Sequence, residues 1–324
     1  MDVKIGQSRA DKVTSGTYNA INISVHVVAA AANTALTAAA FSPEQVSVKV
    51  ILKRKKQTYI IMQDNLQTLG IFNTIDNGFH EFLNGVDVTY PASGVFAIKE
   101  RQAKLMFGGH IRPSDGDELS CEVSVPNVGA FSSAANTTDS YVDFSFEPSI
   151  GYEYLIPMTI SETLEANTSK QRFNPGDNVT RMVLLNLDKT NLTSQVVNNV
   201  TISSDRLDKN MNFAQLVLHS NQLLPRIPAL RFGTSVPVSD GSPTVTKGLP
   251  FYPQTFFIFD GDAINNELDR CSVDIAANKA EVASGQNILA WRTYETTPEL
   301  IAAAATRTQK HMDEKMDKVA NKTS

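Results

Sequence analysis

Four short stretches carry residue types from which a site could be built. DGDE at Asp115 to Glu118 and DGD at Asp260 to Asp262 crowd carboxylates into tight turns, and carboxylate oxygens are the ligands that hard cations such as Ca²⁺ take. The spacing is not that of an EF-hand, so solvated acids on a turn are the commoner outcome and a structural Ca²⁺ the rarer one. KRKK at Lys53 to Lys56 sets four cations in a row, which suits an anionic surface such as lipid headgroups or packaged nucleic acid. Lying between the strand-like runs VSVKVIL and QTYIIM, it also reads as a charged connection that discourages edge pairing. Phe251, Tyr252, Phe256 and Phe257 around Pro253, with Trp291 downstream, could form a stacking platform for a sugar. Alternating aromatics in a β-sandwich are more often core.

Nothing else rises to a catalytic pattern. The five histidines, His26, His80, His110, His219 and His311, are scattered, with no HxH, HExxH or histidine–carboxylate cluster for a metal. GxSxG, P-loop and GxGxxG signatures are absent, which removes the usual handles for acyl transfer, nucleotide binding and hydride transfer. The chain therefore reads as a non-enzyme with no nameable catalytic, cofactor-binding or metal-ligating residue. Cys121 and Cys271 sit 150 positions apart in strand-like surroundings. That favours two buried free thiols over a disulfide.

The frame that must position these residues begins with length. A chain of 324 residues exceeds what one hydrophobic core fills, so two domains are expected. Hydrophobic residues at 42% and charged residues at 19% suit a folded chain. A net charge of −5 gives no overall attraction for nucleic acid, so any genome contact must be local and no sequence-specific nucleic-acid partner is expected. The opening MDVKIGQSRADKVTSGTY lacks a signal-like apolar core, and the greasiest run, Val25 to Ala32, is far shorter than a membrane span. A soluble chain made in the cytoplasm is the expectation.

An internal repeat sets the architecture. LMFGGHIRPSDGDELSCEVSV (Leu105 to Val125) and FIFDGDAINNELDRCSVDI (Phe257 to Ile275) share an order: apolar run, Gly/Asp turn, Glu-Leu, cysteine, alternating strand. Upstream, VSVKVIL precedes a helical pattern at Met62 to Ile75, and NNVTISS precedes another at Met211 to Leu224. Alternation in VSVP, YVDFSF, SVDI and QNILAWRTY is that of half-buried antiparallel strands. Short strands, Asn-Gly and Asp-Gly turns and one helix per half predict two tandem β-sandwiches. The divisions are a 1–17 N-terminal arm, sandwiches over 18–150 and 151–296, and a 297–324 amphipathic helix opening at Thr297-Pro298-Glu299. Polar stretches at Asn127 to Ser140 and Arg231 to Pro250 read as long surface loops.

This pattern, with VSVKVILKRKKQTYIIMQDNLQTLGIFN and the segment from Phe256 to Thr296, resembles the double jelly-roll major capsid proteins of tailless icosahedral viruses. In particular it resembles those of membrane-containing bacteriophages of the corticovirus and finnlakevirus type. The resemblance covers about residues 18 to 296 and rests on pattern and order. It implies two tandem jelly rolls, each with one inserted helix, in a homotrimer that forms a pseudo-hexagonal capsomer. It further implies a virion location, contacts with neighbouring capsomers and minor or penton proteins, and lipid headgroups of an internal membrane beneath. No cofactor is implied, and the two long loops become candidates for outward towers. A carbohydrate-binding or adhesive sandwich is the alternative, motivated by the aromatic cluster.

Overall fold

The computed structural model describes residues 1–32, 36, 40–77, 87–88, 96, 98–186, 196–223, 235–236, 245–246, 255–261, 268–282 and 284–296. Period-two burial builds the first half: Ile21, Ile23, Val25 and Val27 face inward from one strand, Val48, Val50 and Leu52 from the next, and Val142, Phe144 and Phe146 from the last. Its strands are β1 (Asp2–Val3), β2 (Gln7–Val13), β3 (Tyr18–Val28), β4 (Ser47–Arg54), β5 (Gln57–Asn65), β6 (Ile98–Ile111), β7 (Glu118–Val125) and β8 (Tyr141–Pro148). Helix α1 (Leu66–Asn77) lies between β5 and β6. The second half runs β9 (Ile156–Thr163), β10 (Lys170–Gly176), β11 (Val179–Asn186), β12 (Val197–Ser203) and β13 (Asp208–Asn212). Helix α2 (Phe213–Leu223) follows, and then β14 (Thr255–Asp260), β15 (Cys271–Ala277) and β16 (Asn287–Glu295). Two-residue strand pieces also form at Asp87–Val88, Ser235–Val236 and Val245–Thr246.

Pairing repeats strand for strand. The first half holds sheets β1-β8-β3-β6, with the Asp87–Val88 piece paired beyond β6, and β2-β7-β4-β5, and the second holds β9-β16-β11-β14 and β10-β15-β12-β13. Each strand of the first half thus has its counterpart eight strands later in the same place, and each half is an eight-stranded jelly roll. The helices start later than the periodicity suggested, because Met62 and Met211 remain in strands. In both halves the strand ends on an asparagine that caps the helix: Thr68 N donates to Asn65 Oδ1 at 2.8 Å, and Gln215 N to Asn212 Oδ1 at 3.0 Å.

The register refines the repeat. Asn65 pairs with Ser47 as Asn212 pairs with Asn199, which matches Val48 to Val200. Their partners on β7 and β15 are Val123 and Ile275, so Cys121 corresponds to Val273 rather than to Cys271. A two-residue offset keeps every side chain on its face, so the sequence echo is blind to it.

Residues 1–17 are not a free arm. β1 pairs with β8 through Asp2↔Asp143 and Val3↔Val142, and β2 pairs with β7 from Gln7↔Val125 to Val13↔Leu119. None of the β2 residues is buried, so no alternating signal announced the strand. The loop at Asn127 to Ser140 is not a tower either. Ala130, Phe131, Ala135 and Ser140 are buried, and bridges Phe41↔Phe131 and Ala29↔Ala135 fold the loop back onto the first roll. Most of the Arg231 to Pro250 loop, and all of the 297–324 helix, lie outside the described residues.

There are two apolar clusters, one per roll, and the first also takes in Ile156 and Met158 from the start of β9. The first gathers Ile21, Leu105, Phe107 and Phe144, and the second gathers Phe173, Met182, Leu216, Val273 and Trp291. Fully burying such a side chain stabilises by roughly 1.5–3 kcal/mol. β16 departs from the half-buried expectation, since every residue from Asn287 to Thr293 is buried. It is a central strand, paired with β9 and β11 and covered on both faces.

Candidate functional site

The acidic and basic motifs, read separately in the sequence, meet each other. Lys53 and Glu118 are ladder partners at the ends of β4 and β7, with Nζ 3.4 Å from Oε1, and Lys12 Nζ approaches the same oxygen at 3.1 Å. Arg54 turns inward. Its Nε donates to Asp117 Oδ2 at 2.9 Å, its Nη1 and Nη2 donate to the two Glu153 oxygens at 2.9 and 3.1 Å, and Nη2 also reaches the Arg112 carbonyl at 3.1 Å. Asp117 Oδ2 accepts further bonds from Ser114 N at 3.0 Å and Ser114 Oγ at 2.8 Å.

Burial opposes the Arg54 charge, but Glu153 and Asp117 outweigh it and hold the guanidinium pKa above its ordinary value. Burial likewise pushes Asp117 up, while the Ser114 donors and Arg54 pull harder and leave its carboxyl below the usual range. Of KRKK only Lys53, Lys55 and Lys56 remain exposed. Asp117 is 4% exposed and committed to Arg54 and Ser114, so the DGDE turn serves as a counter-charge. Only the strand pairing reveals this, since the motifs lie about sixty residues apart in sequence and meet through the β4–β7 ladder.

Glu153 belongs to the connection between the rolls, and its capture by Arg54 pins that connection to the first roll. The same segment turns Ile150, Tyr152 and Tyr154 outward, at 103%, 55% and 53% exposure. The rings of Tyr152 and Tyr154 meet edge-on with centroids 6.4 Å apart. An exposed aromatic pair beside an isoleucine is the composition of an interface anchor.

Next to it lies the seam between the rolls. β5 and β9 run parallel and meet at Met62↔Thr159, which merges one sheet from each roll into a single eight-stranded sheet. Ser161 Oγ donates to Asp64, whose carboxyl is pushed up by burial against the opposing pull of Ser161 and the Asn65 N–H. Arg292 of β16, 2% exposed, donates from Nη1 to the Phe107 carbonyl and sits 5.4 Å from the centre of the Phe72 ring. Tyr294 Oη donates to the Gly108 carbonyl at 3.2 Å. Gly108 has φ +84°, and a Cβ there would fall on the Arg292 guanidinium, so this close approach requires glycine.

The remaining candidates disperse. His26 Nδ1 lies 3.0 Å from Glu100 Oε1, with its ring stacked on Tyr141. His110 Nδ1 lies 2.9 Å from Ser149 Oγ. His219 on α2 has its pKa lowered by burial and by Lys209, whose Nζ is 3.3 Å from Nδ1. His80 and His311 lie outside the described residues. Asp260 pairs with Arg181 Nε at 2.7 Å, and Asp262 lies outside the described residues. Among the described residues no group of three or more His, Cys, Asp or Glu side chains converges as metal ligands. Cys121 and Cys271 are free and buried, and burial raises both thiols, Cys271 to about 11. Trp291 is 2% exposed within the second core, which removes it from a sugar platform. Phe251 and Tyr252 lie outside the described residues. Two open clefts of about 390 and 500 Å³ flank the seam near His110, Asn19 and Tyr294. Among the described residues no helix is long and apolar enough to cross a membrane.

No protein-family model matches the sequence, and no curated protein matches it. Solved structures do. The crystal structure of the STIV MCP superposes with a TM-score of 0.55 at 12% identity, covering 92% of this chain and 94% of that chain. A chain from the atomic structure of Sulfolobus Turreted Icosahedral Virus gives 0.54 at 11% identity, covering 92% and 88%. The major capsid protein P2 from Bacteriophage PM2 gives 0.45 at 10% identity, covering 91% and 94%. The first two share the double jelly-roll fold with this chain.

Proposed function

We propose that the chain is a structural major capsid protein. Three copies form a pseudo-hexagonal capsomer that tiles an icosahedral bacteriophage shell over an internal membrane, without catalysing a reaction. The observation that carries the reading is the duplicated jelly roll, with two rolls of identical strand order fused through one sheet. A tile needs rigid units with defined edges. Two apolar cores, a seam locked by Arg292, a connection pinned by Arg54, and charged motifs paired with one another supply them.

The double jelly-roll likeness to the STIV MCP supports the reading at the level of fold. The outward Ile150, Tyr152 and Tyr154 support contacts with neighbouring subunits, and the 297–324 segment is assigned to shell assembly or the membrane surface. The sugar-binding reading is weakened by Trp291, which lies in the core.

Size-exclusion chromatography with light scattering, followed by electron microscopy of the assembled protein, tests the proposal. Trimers that build closed shells are expected, and a strict monomer at high concentration overturns it. Deleting 297–324 is expected to leave the trimer and impair shells, and normal particles from the truncated chain would remove that segment's role.

A further inference from the structure

At the seam three cross-strand partners stand in a row across the merged sheet. Met62 of β5 pairs with Thr159 of β9, and Thr159 pairs in turn with Arg292 of β16, so the three side chains are lateral neighbours. Facing the row are α1 and β6 of the first roll, which Asn73 holds together. Its Nδ2 donates to the Lys104 carbonyl at 2.7 Å, and its Oδ1 accepts from Met106 N at 2.7 Å. Between them is a cavity of about 10 Å³, walled by Phe72 and Leu105 as well as by the row and Asn73.

The polar groups around this cavity are deeply buried: Thr159, Asn73 and Arg292 are 4%, 3% and 2% exposed. Thr159 Oγ1 has no hydrogen-bond partner among the described residues. A hydroxyl has one donor and two acceptor sites, and taking it out of water without a partner is costly. Arg292 brings a guanidinium with five N–H donors, one of them directed to the Phe107 carbonyl. The space suits a single water molecule, and two to four polar partners are what a buried water needs. The neighbouring Arg292 charge repels a metal cation, and the volume shuts out a larger ligand.

We propose that the cavity binds one ordered water molecule, which bridges the Thr159 hydroxyl to the Arg292 guanidinium and reaches the Asn73 amide. The water accepts from Arg292 and shares a hydrogen bond with Thr159, so the hydroxyl that lacks a protein partner is satisfied. Such a bridge holds nearly as well as a direct hydrogen bond. It gives α1 of the first roll a polar link to β9 and β16 of the second, beside the stacking of Arg292 over the Phe72 ring. It also accounts for a threonine rather than a valine at a buried position of the seam. The site belongs to the single chain and is independent of how copies assemble.

The test is a density map of the full chain, by crystallography or electron microscopy, at a resolution that shows ordered water. A peak within about 2.5–3.2 Å of Thr159 Oγ1 and of an Arg292 nitrogen is expected, and a map with no such peak overturns the inference. Thr159→Val keeps the branched shape and the strand preference while removing the hydroxyl. Its map is expected to lack the peak, and a peak that stays in place overturns the bridging role of Thr159. In urea, Thr159→Val is expected to lower the unfolding midpoint, because the buried polar groups it leaves behind lose a bond. A hydroxyl with nothing to bond gives the opposite sign, so an unchanged or raised midpoint also overturns the inference. Circular dichroism matched to the parent verifies that the variant folds.

Discussion

Replacing Arg54 by Met removes the cation that two buried carboxylates share. Asp117 and Glu153 are 4% and 6% exposed, and breaking a buried pair by deleting one partner costs about 3–5 kcal/mol. At a urea slope of about 3 kcal/mol per M, the unfolding midpoint of the first roll falls by about 1–1.7 M. Far-UV circular dichroism follows both rolls, whereas the single tryptophan, Trp291, lies in the second core and reports that roll alone. The fluorescence transition should therefore shift less than the dichroism transition. In the parent, the lowered Asp117 carboxyl contributes stability above its unfolded pKa, and this is lost as pH falls through the lower folded value. In the variant, Asp117 keeps its Ser114 donors but loses the pull of Arg54, so less of that stability is present at neutral pH and less is lost on acidification. The gap between the two proteins should thus narrow from pH 7 towards about pH 4. The triple variant Arg54→Met with Asp117→Asn and Glu153→Gln should recover most of the loss. An unchanged midpoint at pH 7, or a gap that widens in acid, refutes the reasoning.

Phe144→Ala and Trp291→Ala each empty one core and should cost about 3–5 kcal/mol, lowering one calorimetric transition each; an unaltered thermogram would place these side chains outside the cores. Gly108→Ala should destabilise by about 1–3 kcal/mol through strain at positive φ, with more from contact with Arg292, read as a lower urea midpoint; a neutral result would mean the seam does not need that approach. Cys121 and Cys271 should resist an aromatic disulfide reagent at pH 8 and react fully in urea. Because the folded thiol pKa of Cys271 is raised to about 11, its contribution to stability is complete below the unfolded pKa and is lost as pH rises towards 11. Rapid labelling of the native protein would contradict the burial.

What the sequence revealed was whatever period-two and period-three-to-four patterns encode. Ile21, Ile23, Val25 and Val27 mark a one-faced strand, and the repeat that ends in Val125 and Ile275 marks the duplication. β2 was missed because its residues are not buried, so pairing alone makes it a strand. β16 was read as half-buried because Asn287, Arg292 and Thr293 look polar, yet its neighbours on both sides cover it. Phe131 and Ala135 fold the 127–140 loop inward through only a few apolar contacts, too sparse to stand out in a polar stretch. The union of KRKK with DGDE needed the β4–β7 register, which no local window contains.

The division of the apolar core into two clusters has a consequence for how such a molecule can change over time. Apart from Ile156 and Met158 of β9, which pack into the first cluster, the two clusters draw on different halves, so a substitution deep in one calls for little compensating exchange in the other. Each half can vary on its own as long as the handful of crossing contacts, from Arg292 to the Phe107 carbonyl and from Arg54 to Glu153, is kept. A chain built this way tolerates wide divergence in residue identity while its silhouette stays the same.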